Sequence, residues 1–574
     1  NVIDVGYAGV IGAHRIIEEG RSPYGNFPVR DGEECGEPDI EGNARDRIQD
    51  NGRCESANPR GDTYGPVTYL AYVPGLLALG WSGLWDSLPA AHFTALVADL
   101  LAIFGLVIAA VFRMFPAAIF PCLVQIPLAV TIGLWLQRRG ASLLLPSLIA
   151  LLLMLLSIIY GDVGLLGSFN ASLAALPNIA WVALLLVYAY VASVLPVWVL
   201  LQPRDYINAL QLIGSLGLIV IGLCWAALAG GAPVGDEATR PALNIVAPMF
   251  HWDPAGAPLM VPFLFITIAC GAISGFHCLV SSGTSSKQLK CETDAQFVGY
   301  GSMLTEGFLA TLVILACCAG LGLGIEKGGA TLLGEAAWES RYASWGAAKG
   351  LGAKVGAYVD GSANFLQALG ISKAIAKALM GVLVASFAAT TLDTACRLQR
   401  YVVQELAGTF RREGDGPGFL AGPVSVLSNK HGATIFAVSL AGIMAATPPG
   451  GQGWSIANAG KGGLILWPLF GATNQLLAGL SFLVITFYLW RRGKPVWFLV
   501  LPMIFMLVMP MWAMLHQLFI SPGWLVGENP DYLLGLIGLA TIALEVWMIF
   551  EAWQLFPKAK GVLEDGALDA SGIS

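Results

Sequence analysis

The sequence predicts an all-α, polytopic membrane bundle of about 12 to 13 spanning helices, and three observations carry that expectation. Of 574 residues, 56% are hydrophobic and only 12% are charged, about half the roughly 25% charged share of soluble domains. The apolar residues gather into windows near the ~20 residues that a helix needs to cross a bilayer. Between those windows Lys and Arg favour alternate sides, as the positive-inside rule requires.

Residues 1–65 form a polar extramembrane segment, rich in Gly, Pro, Asp, Glu and Arg, with no run long enough to span. Residues 66–100 hold a weak span at about Val67 to Leu84, broken by Pro74 and Gly80, and then a junction, with a seam near Ala98 to Gly105. Residues 101–556 make up the spanning domain, and 557–574 a cytoplasmic tail. The strong windows fall near 92–113, 115–136, 142–160, 174–201, 206–230, 259–283, 297–325, 371–395, 432–447, 464–490, 495–516 and 532–553. A consistent alternation places in the cytoplasm the loops with Arg138 and Arg139, Arg204, Lys287 and Lys290, Arg397 to Lys430, Arg491 to Lys494, and Lys558 and Lys560. The C-terminus is then inside. Segments 231–258 and 326–370 become long outward loops, the second an exception because it carries Lys327, Arg341, Lys349 and Lys354.

A net charge of -7 without a basic stripe excludes a nucleic-acid partner. Cys122, Cys224, Cys270, Cys278, Cys317 and Cys318 lie in apolar runs, where a thiol packs as a small hydrophobe. Cys35 and Cys54 lie in the polar segment and can pair only in an oxidising compartment. With no Walker loop, HExxH, GxSxG or metal-spaced Cys/His cluster, neither a catalytic residue nor a metal or cofactor is expected.

The informative features are polar groups inside apolar windows. In VPFLFITIACGAISGFHCLVSSGTSSKQLK, Val261 to Lys290, three glycines (Gly271, Gly275, Gly283) weaken a helix. Ser274, His277, Ser281 and Thr284 follow at spacings of three and four, which puts them on one face of a continuous helix. The run is expected to be a discontinuous helix whose freed backbone groups hold a carboxylate or an ion. An ordinary helix packed through small residues, its hydroxyls bonded to the preceding turn, is the open alternative. With Gly275, Ser282 and Asn474, these four residues form the candidate substrate-binding set. His277 and Glu306, ionisable groups within apolar windows, are candidate proton-coupling residues; the alternatives are a neutral imidazole bonded across a helix interface and a carboxyl solvated near the membrane surface. Asp393 is a third such candidate. It shares a helix face with Thr390, Thr394 and Arg397, and Asp393 and Arg397 are expected as i,i+4 partners. In LWPLFGATNQLLAGL, Pro468 and Gly471 interrupt a span that holds Asn474 and Gln475, whose amides can bond between helices or face a pathway.

The runs LPVWVLLQPRDYINALQLIG, PFLFITIACGAISGFHCLVSSGTSSKQL, VGYGSMLTEGFLA, ASFAATTLDTACRLQRY and LWPLFGATNQLLAGL, in that order, resemble the carbon starvation protein A family, clearly over about residues 102–490. The resemblance implies a bacterial inner-membrane carrier that takes up small organic nutrients, pyruvate or short peptides, with protons. It also implies a fold related to the inverted-repeat amino-acid transporters. That family opens with a GAGPIVGP-like run, the partner of GAISGFH, which this sequence lacks.

The first hundred residues carry DVGYAGVIGAHRI, SPYGNFP, GDTYGPVTYLAYVPG and LPAAHFTALVADL instead. They loosely resemble multi-span glycosyltransferase-like membrane proteins, in which Asp4 would sit beside a lipid-linked sugar donor. Two further function classes therefore stand beside the carrier: a membrane glycosyltransferase-like enzyme acting through the N-terminal region, and a non-transporting remnant or chimera.

Overall fold

The computed structural model describes residues 46–48, 54–56, 88–139, 143–234, 238–250, 256–348, 351–409, 423–448, 454–456, 458–464, 467–520, 523–526 and 530–560. Asp4, Cys35, the 67–84 window and the tail beyond 560 lie outside the described residues, as does the 1–65 segment apart from a short hairpin of Asp46–Ile48 with Cys54–Ser56.

The helices are α1 (Leu88–Met114), α2 (Ile119–Arg139), α3 (Leu144–Ile159), α4 (Gly164–Ala174), α5 (Asn178–Val194) and α6 (Leu201–Ala229). After them come α7 (Phe265–Ala272), α8 (Gly275–Val280), α9 (Thr293–Cys318), α10 (Gly334–Tyr342), α11 (Leu351–Ala368) and α12 (Lys373–Thr409). The chain continues through α13 (Pro423–Ser428), α14 (Lys430–Ala446), α15 (Trp467–Arg491), α16 (Trp497–Phe519) and α17 (Tyr532–Leu555). Every predicted window contains helix. Among the described residues eight helical spans are long and apolar enough to cross a membrane, or nine with the bent pair α3–α4; the apolar stretch Leu101–Met114 of α1, α5 and α14 are shorter. The chain is a polytopic α-helical membrane protein.

The centre of the bundle is α1, α5, α12 and α14, packed through Leu101, Ala109, Val182, Ala189, Met380, Ala385, Ala437 and Ala441, all fully buried. So many alanines let the backbones approach closely, which is what holds helices together where lipid removes the hydrophobic driving force between them. Around this centre α15, α16 and α17 form a second unit with its own apolar cluster of Leu469, Met514, Leu518, Leu534 and Ile537.

Two expectations need correction. The connection left between the 142–160 and 174–201 windows is a helix: α4 leaves α3 at 83°. Asn170 fixes the bend, donating to the Gly161 carbonyl at 2.9 Å while its oxygen accepts from the Phe120 N–H at 3.1 Å. The 326–370 loop contains α10 and α11, and α11 is a core helix with Ala357, Val359, Ala363, Phe365 and Leu366 fully buried. Its sequence, LGAKVGAYVDGSANFLQA, is too polar for a lipid-facing span but suits a helix wrapped in protein, where side chains need not be apolar. The stretch 98–105, where a seam was expected, lies within α1.

Candidate functional site

The span 260–285 is broken. The helix α7 stops at Ala272, Ile273 and Ser274 leave helical geometry (φ -138°, ψ 76° and φ -91°, ψ 131°), and α8 restarts at Gly275. The break is held by α15. Asn474 accepts from the Phe276 N–H at 2.8 Å, and its amide donates to Ser274 Oγ at 3.0 Å and to Cys270 Sγ at 3.3 Å. Gly275 lies so close to α15 that a Cβ there would collide with the Asn474 carbonyl and the Leu477 side chain. Asn474 thus serves the broken helix as a cap donated from a neighbour, satisfying a backbone donor that the interruption frees.

The candidate set divides at this point. Ser274 is 6% exposed and sealed against α15, whereas His277, Ser281 and Ser282 are exposed on the outer side of the described bundle. They do not share one face. The physical reason is that Ser274 is extended rather than helical, and that Ser281–Ser285 forms a wider turn with i→i+5 bonding, which changes the angular period. Ser281 and Ser282 donate back to the carbonyls of Cys278 (2.9 Å) and Leu279 (3.2 Å). Thr284 is half-buried, and its Oγ1 has no hydrogen-bond partner among the described residues.

The end of the broken helix meets the rest of the bundle at a charged junction. Gly283 abuts the Leu398 side chain of α12, and Gln202, at the start of α6, donates to Gln288 at 3.4 Å. Nearby in sequence on the same two helices lie Arg204 and Asp393, 2% and 0% exposed. They pair directly: Arg204 Nη1 donates to Asp393 Oδ2 and to the Tyr188 hydroxyl, Arg204 Nη2 to Asp393 Oδ1 at 3.2 Å, and Tyr188 of α5 donates to Oδ2 at 2.7 Å. The expected Asp393–Arg397 partnership is therefore corrected. Arg397 instead donates to the carbonyls of Ala192 and Leu195, both at 2.7 Å, and Arg400 to that of Ser193 at 2.5 Å. Both guanidiniums close the C-terminal end of α5, where unpaired carbonyls attract cations. Arg204, expected in a loop, is a buried residue in the first turn of α6.

Glu306 sits at the midpoint of α9 on its exposed outer face, apart from this junction. Among the described residues one cavity adjoins this junction and another lies away from it. One of about 270 Å³ is walled by Phe112, Trp181 and Leu185 and reaches Gln125, Tyr188 and Arg204. The other, about 240 Å³, is polar and holds Asp360 between Arg341 and Lys377, with Lys373 paired to Glu326. Lys373 holds the exposed Glu326 carboxyl below its usual range, mainly through their hydrogen bond. Among the described residues no cluster of three or more His, Cys, Asp or Glu could hold a metal.

Sequence reasoning passed over Arg204 and Tyr188, which helical spacing cannot connect to Asp393, and Glu545, which the criterion applied to Glu306 would have found. Asn474→Ala is expected to leave the Phe276 N–H and Ser274 Oγ unpaired, a cost of about 1–3 kcal/mol. Hydrogen–deuterium exchange should rise across Ser274 to Cys278 and stay unchanged in α16; equal protection in both proteins would contradict the cap.

The family model described as carbon starvation protein CstA matches residues 87–513. The peptide transporter CstA of Campylobacter jejuni is 30% identical over 455 residues, 73% of this chain and 60% of that protein. The peptide transporter CstA of Helicobacter pylori J99 is 32% identical over 416 residues, 66% and 56% of the two chains. The pyruvate/proton symporter BtsT of Escherichia coli K12 is 30% identical over 474 residues, 73% and 62%. The chain thus spans about 60% of the length of these relatives. No solved structure matches. With the family model covering well over half of its length, this chain belongs to the carbon starvation protein CstA family.

Proposed function

We propose that this chain is a secondary carrier that moves pyruvate or short peptides together with protons across a bacterial inner membrane, its C-terminus in the cytoplasm. The observation that carries this reading is the interruption of an apolar span at Ile273–Ser274 beside hydroxyls and an imidazole. Breaking a helix inside a membrane frees backbone groups that lipid cannot satisfy, and carriers use such groups to hold cargo. Pyruvate and a peptide C-terminus share a carboxylate, so one donor-rich site suits the cargoes in both relatives' names. In this reading His277, Ser281, Ser282 and Thr284 touch cargo, while Ser274, Gly275 and Asn474 keep the break in place. Because Asp393 is committed to Arg204, proton binding there requires the pair to open first. The distribution of Lys and Arg supports the orientation.

Uptake of labelled pyruvate and of a labelled dipeptide into proteoliposomes tests the proposal. Accumulation of one of them under an inward proton gradient, abolished by a protonophore and reduced several-fold by Ser281→Leu, is expected. No uptake of either would sink the carrier reading, and uptake indifferent to the gradient would exclude proton coupling.

A further inference from the structure

A carboxyl group is buried on α17. Glu545 is 1% exposed, its Oε1 has no hydrogen-bond partner, and no ion pair to it is found among the described residues. It lies about 20 Å from the first residue of α17 and about 15 Å from the last, at 1.5 Å per residue, and so near mid-membrane. One turn earlier Thr541 is also buried, its hydroxyl turned back to the Ile537 carbonyl at 2.8 Å. On α15, Thr486 is fully buried and its Oγ1 lacks a partner among the described residues.

The two helices run side by side in the same direction. Leu469 and Ala472 share an apolar cluster with Leu534 and Ile537, while Trp490 donates to the Phe556 carbonyl at 2.9 Å at the other end. Interpolating between these contacts puts Glu545 level with Gly479 and Leu480, about 8 Å along α15 from Asn474. A single helix therefore separates the buried carboxyl from the break that Asn474 holds.

Opposite Gly479, α16 presents Leu507, an apolar neighbour. The titratable and charged groups on the elements packed around α17 are Arg491 at the end of α15 and His516, whose ring packs on Phe263, on α16. The helix α1 brings Arg113, which donates to Asn178. Glu551 of α17 itself is exposed. An unpaired charge at this depth costs several kcal/mol or more, so the site accommodates the neutral acid and releases its proton only when water or a cation reaches it.

We propose that Glu545 is the group that binds the coupling proton. The inference rests on the carrier reading above. One proton adds to the carboxylate from water on the entry side and leaves to water on the exit side. Its movement with a monocarboxylate cargo is electrically neutral and needs no further reactant. The conformational link is α15, which packs beside α17 and also holds the cargo break.

The test uses the full chain in proteoliposomes. Glu545→Gln is expected to lose gradient-driven accumulation at least tenfold, yet to keep exchange of labelled for unlabelled cargo at equal pH; Glu551→Gln should retain both. Accumulation by Glu545→Gln at the wild-type level would overturn the proposal. Should wild type move no cargo, the carrier reading fails, and infrared titration then decides the proton site by itself. A protonated-carboxyl band that vanishes as pH rises, present in wild type and absent from a folded Glu545→Gln, supports it; identical band sets overturn it.

Discussion

Asp393→Ala is expected to destabilise the bundle by about 3 kcal/mol or more, the cost of leaving one partner of a buried ion pair without the other. The carboxylate is fully buried on α12, its two oxygens take the Arg204 guanidinium of α6, and the Tyr188 hydroxyl of α5 adds a third bond. Three helices are thus tied together by a single anion. Removing it leaves a guanidinium with only Asp205, 2.8 Å away and 48% exposed, to offset its charge. The loss should appear as a several-fold lower yield of folded protein after extraction and faster inactivation on warming. Replacing both groups, Arg204→Leu with Asp393→Leu, should recover most of it, because an apolar pair of similar size avoids the desolvation of either ion. A wild-type yield for Asp393→Ala would mean that water reaches the guanidinium, and with it the cavity that Arg204 lines.

That pair also marks where sequence legibility ends. The windows that became α1, α2, α9, α15 and α17 were visible because lipid imposes apolar runs of fixed length. The break at Ser274 was visible because glycine and hydroxyl residues interrupt such a run. Invisible were α11, apolar enough for a protein interior but not for lipid, and the partner of Asp393, which lies 189 residues away. Helical spacing could connect Asp393 only to Arg397, on its own helix. It also assumed one period across 274–284, whereas the extended residue and the wide turn rotate Ser281 away from Ser274. Local pattern therefore located the polar groups, while tertiary packing decided which of them meet.

Gly275→Val is expected to be the most damaging single change at the broken helix. A side chain there meets the Asn474 carbonyl, Leu477 and the Ala478 backbone nitrogen, and backbone cannot yield as the tip of a flexible side chain can. Forcing α8 from α15 costs about 1–3 kcal/mol in overpacking. It also pulls Asn474 from the Phe276 N–H and Ser274, at about 0.5–1.5 kcal/mol for each bond. The neighbouring glycine supplies the control. A Cβ at Gly271 meets nothing within 4 Å, so Gly271→Ala in α7 should be neutral or stabilise by roughly 0.5–1 kcal/mol, since glycine is a poor helix former. Folded yield and cargo uptake should therefore both fall in Gly275→Val and both persist in Gly271→Ala. If the two variants behave alike, the contact between α8 and α15 does not hold the break. If Gly275→Val folds normally and loses only uptake, that contact serves the movement of cargo rather than the stability of the bundle.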